Sequence, residues 1–92
     1  MIIEFDLVKS EGNARERGLP FDWAYEFEWE TATYEENVRR GYSERRFVAL
    51  GYLGDRLHML CFTPMEDGVR IISFRKANRR EVMIYEEKTA DR

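Results

Sequence analysis

The sequence predicts an α+β fold: a small, mostly antiparallel sheet with helices on one face, in the order β-α-α-β-β-β-α. Three observations carry this. The apolar runs of the second half of the chain are joined by connections too short for crossovers, so successive strands must be antiparallel. Asp6 and Asn78 stand where helix N-caps belong. The aromatic stretch after Pro20 repeats at helical spacing.

The elements follow in order. Ile2-Ile3-Glu4-Phe5 reads as a first strand. Asp6 caps a helix running to about Arg17, and Gly18 closes it; Gly12 inside lowers its propensity by about 1 kcal/mol against alanine, so packing must hold it. Pro20 suits the first turn of a second helix, with Phe21, Ala24 and Tyr25 on one stripe and Trp23 and Phe27 on the adjoining one, aromatics of a core rather than a ligand platform. From Glu30 to Ser43 no period persists, which predicts a long loop beside a site. Strands follow over about Glu44 to Leu53, Arg56 to Thr63 and Val69 to Arg75, joined by a tight Gly54-Asp55 turn and the longer Pro64 to Gly68 loop. Asn78, with Glu81 three residues on, forms a capping box for a last helix whose Val82 and Tyr85 face the sheet. The tail from Lys88 is expected to fray.

With 92 residues, 43% of them hydrophobic, the chain is expected to form one domain, 1–92, because so short a chain buries only about two-thirds of its unfolded surface. No apolar run approaches the roughly 18 residues that cross a bilayer, and the opening Met1-Ile2-Ile3-Glu4 lacks the pattern of a secretory signal. A cytoplasmic protein with no membrane association is expected. The single cysteine, Cys61, reads as a small buried hydrophobe.

A net charge of −3 argues against indiscriminate nucleic-acid binding, yet the charge is unevenly placed. Acids without a cation occupy Glu26 to Glu36, whereas Arg70, Arg75, Lys76, Arg79 and Arg80 are five cations gathered where a strand turns into a helix. A helix N-terminus adds N–H groups and the positive end of a dipole, so this corner suits a phosphate. Arg75 is placed for a two-pronged grip. The competing account pairs Arg75, Arg79 and Arg80 with Glu44, Glu81 and Glu86 as surface charges. Period-two geometry puts Ser73 and Arg75 on one face with Val69 and Ile71, and Arg70 on the other unless a bulge intervenes. Glu44-Arg45-Arg46 at a strand start is either a base beside anion clamps or an edge-strand solubility device. His58 is a packed side chain or a proton donor. No glycine-rich phosphate loop, zinc-ligand spacing or serine-nucleophile motif occurs.

Phe5-Asp6, Lys9, Asn13, Gly18, Phe21 and Ala24, then Glu44-Arg45-Arg46-Phe47-Val48-Ala49-Leu50-Gly51, Arg70-Ile71-Ile72-Ser73-Phe74-Arg75-Lys76-Ala77, Glu81 and Tyr85 together resemble the BrnT toxin family along nearly the whole chain. The resemblance implies a RelE-like fold and a ribonuclease toxin of a bacterial type II toxin–antitoxin pair. It implies a BrnA-like ribbon-helix-helix antitoxin as partner, RNA as substrate, and contact with operator DNA only through the antitoxin. No metal and no cofactor are expected. Arg46, Arg70 and Arg75 match family positions, with Lys9 and Glu44 matching more loosely.

The expected mechanism has the 2′-hydroxyl of the RNA attack the adjacent phosphate. Arg46 and Arg75 hold the phosphate, Glu44 or Asp6 accepts a proton, and Arg70, Lys76, Arg79, Arg80, Arg17 and Lys9 bind the backbone. The family commonly carries Asn-x-x-Lys-His-Gly where this chain has Asn13-Ala14-Arg15-Glu16-Arg17-Gly18. The alternative is therefore a catalytically weak or inactive homologue that serves as antitoxin-binding partner in operon repression. Trp29, Tyr34 and Tyr42 either receive an antitoxin segment or complete the core.

Overall fold

The computed structural model describes residues 1–39 and 41–92. Strand β1 (Ile2–Glu4) leads into helix α1 (Leu7–Arg17), a 3-10 helix follows at Phe21–Glu26, and then come β2 (Thr33–Asn37), β3 (Arg46–Leu53), β4 (Arg56–Met65), β5 (Gly68–Lys76) and helix α2 (Arg79–Thr89). The expected order lacked β2. All five strands form one sheet in the order β1-β5-β4-β3-β2.

The sheet is mixed where a mostly antiparallel one was expected: β2, β3, β4 and β5 pair antiparallel in sequence, whereas β1 runs parallel to β5. Helix α1 and the 3-10 helix carry the chain across one face of the sheet, from β1 at one edge to β2 at the other. Gly68 makes that pairing possible, since a Cβ there would lie 1.9 Å from the backbone oxygen of Ile2.

Caps fix the helix ends as the sequence indicates. The Asp6 carboxylate accepts from the Lys9 N–H, and Gly18 closes α1 in the left-handed region at φ 66°. Asn78 and Glu81 complete a full capping box on α2. The aromatic stretch after Pro20 is a 3-10 helix in place of the expected α-helix, held by bonds such as Trp23 N–H to Pro20 O. With three residues per turn, Phe21, Ala24 and Phe27 align on one face and are buried, while Trp23 and Tyr25 face outward.

Helices do not share one face of the sheet. Leu19, Phe21, Ala24 and Phe27 pack with Ile3, Ala49, Leu60, Phe62, Val69, Ile71 and Phe74 on one side. Tyr85, Val82 and Ile84 of α2 pack on Leu50, Leu57 and Met59 on the other. The cause is sequence length: only the Ala77-Asn78 link separates β5 from α2, and it turns the chain over the strand end onto the side that α1 leaves open.

Residues 33–37 belonged to the expected loop. They pair with β3 from Thr33↔Leu50 to Asn37↔Arg46, and hydrogen bonding rather than apolar alternation makes this polar edge strand.

Candidate active site

A register shift sets the site. Cys61 pairs with Ser73 but Phe62 pairs with Ile71, which leaves Ile72 as the extra residue of a bulge in β5. Ile71 and Phe74 consequently enter the same apolar cluster although they are three apart. Arg70, Ser73 and Arg75 come onto the α2 face. Strict alternation would have separated Arg70 from Arg75 and put Arg75 with Val69 and Ile71. The bulge places Val69 and Ile71 opposite both arginines.

One row of residues crosses that face. Asn37 lies opposite Arg46 on β2 and β3, Thr63 opposite Arg70 on β4 and β5, and Arg70 opposite Glu4 on β1. Arg46 and Thr63 are cross-strand neighbours one step beyond the Phe47↔Phe62 pair. Arg46 and Arg70 thus flank Thr63, with Cα atoms about 10 Å apart. Arg70 donates Nη1 to both oxygens of Glu44 at 2.9 and 3.2 Å, and its Nε reaches Glu4 at 3.4 Å. Arg46 lies over the Tyr42 ring, 4.0 Å from its centroid. Its Nε is buried without a hydrogen-bond partner, and so is the Thr63 Oγ1.

Arg75 stands further along the same face, beside Met59 and four residues along β4 from Thr63, which is about 13 Å. Its Nη1 and Nη2 donate to the two oxygens of Glu81 at 2.8 and 3.0 Å. Burial pushes the Glu81 carboxyl up, but hydrogen bonds from Arg75 and the Asn78 N–H outweigh it and hold it below its ordinary value. Arg79 and Arg80 are exposed on the first turn of α2.

Arg75 also borders a cleft of about 980 Å³ at the end of the sheet, where Arg17, Trp23, Glu26, His58 and Lys76 face it. Two backbone carbonyls, of Leu19 and Phe74, accept from the Asn13 Nδ2 at 2.7 and 2.8 Å, and the Asn13 Oδ1 accepts from Arg17 at 3.0 Å, so this amide seats Arg17 at the rim. His58 is buried against Phe74, with its Nδ1 2.8 Å from the Arg56 carbonyl oxygen. That contact makes Nδ1 the protonated nitrogen. Burial lowers the His58 pKa, the Arg56 carbonyl opposes this, and the Arg56 and Lys76 charges add to the lowering.

The residues singled out from sequence therefore divide. Arg46, Arg70 and Glu44 stand at one end of the α2 face, while Arg75, from that face, and Lys76 and Arg17, from the α1 side, border the cleft at the end of the sheet. Lys9 is exposed on α1 away from both, and the Asp6 carboxylate is engaged as a cap. Thr63 and His58 join these groups only through register; His58↔Lys76 and Thr63↔Arg70 are cross-strand pairs. The only signal of Thr63 in the sequence is a polar residue within an apolar strand. Cys61 is half-buried, with burial raising its pKa. Trp29 completes the core against Phe27 and Phe62, while its indole N–H donates to the Ala24 carbonyl at 2.9 Å.

Among the described residues, no group of three or more His, Cys, Asp and Glu side chains is arranged to hold a metal ion, and no helix is long and apolar enough to cross a membrane. A family model described as "Ribonuclease toxin, BrnT, of type II toxin-antitoxin system" matches residues 5–81. No curated protein matches the chain.

Proposed function

The chain belongs to the BrnT family of ribonuclease toxins of type II toxin–antitoxin systems, and from that premise we propose that it is a metal-independent endoribonuclease neutralised by a BrnA-like ribbon-helix-helix antitoxin. In this reading the whole of 1–92 is one RelE-like domain that acts in the cytoplasm and reaches operator DNA only through its antitoxin. The observation that carries the proposal is the bulge at Ile72, which brings Arg70 and Arg75 onto the face that also presents Arg46.

An RNA backbone laid along that face meets cations at both ends. At the Arg46–Arg70 end the substrate phosphate competes with Glu44 for Arg70. The released Glu44 carboxylate is then beside the reacting group and accepts the proton of the 2′-hydroxyl as its oxygen attacks phosphorus. The bond to the 5′-oxygen breaks, that oxygen takes a proton from solvent, and a cyclic phosphate forms. Arg46 and Arg70 stabilise the charge that builds on the phosphate oxygens. Arg75, Lys76 and Arg17 hold the backbone at the cleft, with Arg79 and Arg80 extending the positive surface and Lys9 more distant.

The test is cleavage of a structured RNA by purified protein with chelator present. Arg46→Ala is expected to lower the rate about a hundredfold or more, and equal rates in parent and variant would remove Arg46 from the mechanism. The same assay with Arg75→Ala measures how far the cleft end contributes.

One observation favours a second reading. Arg70 and Arg75 are each closed by a carboxylate of the same chain, as suits an inactive homologue that binds the antitoxin and tunes repression. Expression without the antitoxin separates the two, since a nuclease arrests growth and an inert partner does not. For either, the groove between β2 and α2, with Val48, Leu50 and Ile84 as apolar floor and both acids (Glu35, Glu36, Glu81) and cations (Arg39, Lys88) around it, suits an amphipathic antitoxin segment.

A further inference from the structure

Two buried polar side-chain atoms lack a hydrogen-bond partner among the described residues, and both lie in the same cross-strand row. Arg46 Nε is a cationic donor, and the Thr63 Oγ1 is a hydroxyl that donates or accepts. Thr63 is only 4% exposed. An unmet buried hydroxyl lowers stability by about 1–3 kcal/mol, and an unmet donor on a guanidinium by more. Leaving one such group in a domain is common enough; two at neighbouring cross-strand positions of β3 and β4 form a donor pair without its acceptor.

The surroundings define that acceptor. Arg70 flanks Thr63 on the far strand, so two arginines and a threonine stand side by side in one row on β3, β4 and β5. The group that already satisfies Arg70 is itself an anion, the Glu44 carboxylate at 2.9 Å. Glu44 and Arg70 are each 35% exposed in their side chains, so the pair sits at the rim and can exchange with a solute anion. The Tyr42 ring over Arg46 closes the other side. A carboxylate has two oxygens in one plane and serves Arg70 from the side; a tetrahedral phosphate presents oxygens in several directions and can serve Arg46, Thr63 and Arg70 together.

We propose that Arg46 Nε, Thr63 Oγ1 and Arg70 form an oxyanion niche for a phosphate group, which Glu44 occupies in part until the phosphate displaces it. The inference deepens the ribonuclease reading and rests on it for the identity of the phosphate as an RNA phosphodiester. The shared chemistry is the phosphate oxyanion, and free inorganic phosphate is its other source. Thr63 is a binding residue here, and it takes no proton in the reaction.

The experiment measures binding by calorimetry with two probes, inorganic phosphate and an uncleavable 2′-deoxy dinucleotide, against the parent, Thr63→Val and Thr63→Ser. A hydroxyl bonded to an anion accounts for roughly ten- to a hundredfold in affinity, so Thr63→Val is expected to lose that much for the dinucleotide while Thr63→Ser retains it. Denaturant unfolding without ligand provides the second reading, since Val removes an unmet hydroxyl and is expected to fold at least as stably as the parent. Tight dinucleotide binding by a parent that cleaves no RNA supports the niche and rejects the nuclease. A parent that prefers inorganic phosphate to the dinucleotide supports the niche and overturns its assignment to RNA. Equal dinucleotide affinity in the parent and Thr63→Val, or no binding of either probe, overturns the niche.

Discussion

Arg75 and Glu81 form a two-pronged ion pair, with both guanidinium Nη atoms donating to the two carboxylate oxygens at 2.8 and 3.0 Å. The pair ties the last strand to the helix that follows it. The same carboxylate accepts from the Asn78 N–H at 3.0 Å, while the Asn78 side chain accepts from the Glu81 N–H at 2.9 Å. One side chain thus fixes the helix start, the strand end and the direction of a cation.

Glu81→Gln keeps the shape but removes the charge that Arg75 and the helix dipole both favour. It is expected to lower stability by about 1–2 kcal/mol, as for loss of a cap combined with a partly buried pair. Urea unfolding of the parent and variant measures this directly. An unchanged midpoint would show that the pair orients Arg75 without stabilising the fold. RNA affinity is expected to rise in the same variant, because Arg75 is freed for phosphate.

Acid should destabilise the protein in two stages. Burial chiefly, with the Arg56 and Lys76 charges adding to it, lowers the His58 pKa from 6.5. The unfolded chain then binds the proton that the folded one refuses, so stability declines as pH falls from 6.5 through the lower folded value. Glu81 is held below 4.5, so its contribution is complete above that pH and disappears as pH falls through the folded value. Unfolding free energies across the acid range, with Glu81→Gln as the second protein, separate the two. A parent profile that stays flat until the carboxylate range would exclude the His58 contribution.

Asn13 is buried at 7% exposure and holds two backbone carbonyls, of Leu19 and Phe74, from a single amide nitrogen. Asn13→Ala leaves both without that donor at a buried position. A loss of about 2–4 kcal/mol is expected from the unmet groups and the small void together. Thermal unfolding reads the loss, and a fall under about 1 kcal/mol would mean that the carbonyls find other partners. Arg17 also loses its seat in this variant, so the cleft should bind RNA more weakly than the stability change alone explains.

How much of the site could be read in the sequence depends on how far apart the interacting residues lie. Arg46, Arg70 and Arg75 stand out because cations at strand ends are visible in a linear chain. Their grouping does not, because a single extra residue at Ile72 reverses which face the residues beyond it occupy. Glu44 stands out as a proton acceptor from its place at a strand start, but its contact with Arg70, 26 residues away, arises only when β3, β4 and β5 align. Thr63 carries no motif at all. Its importance comes from lying between two arginines.

The sequence by itself determined the local decisions: Asp6 and Gly18 bounding α1, the Asn78–Glu81 box starting α2, and the three long apolar strands with their short turns. Each depends on groups a few residues apart, where propensity and hydrogen bonding act directly. Only the tertiary structure decided that Thr33–Asn37 is a strand, that β1 runs parallel to β5, that α2 takes the face opposite α1, and which carboxylate closes each arginine. Those outcomes follow from register and packing between distant segments, and a polar edge strand or a bulge carries almost no periodic signal of its own.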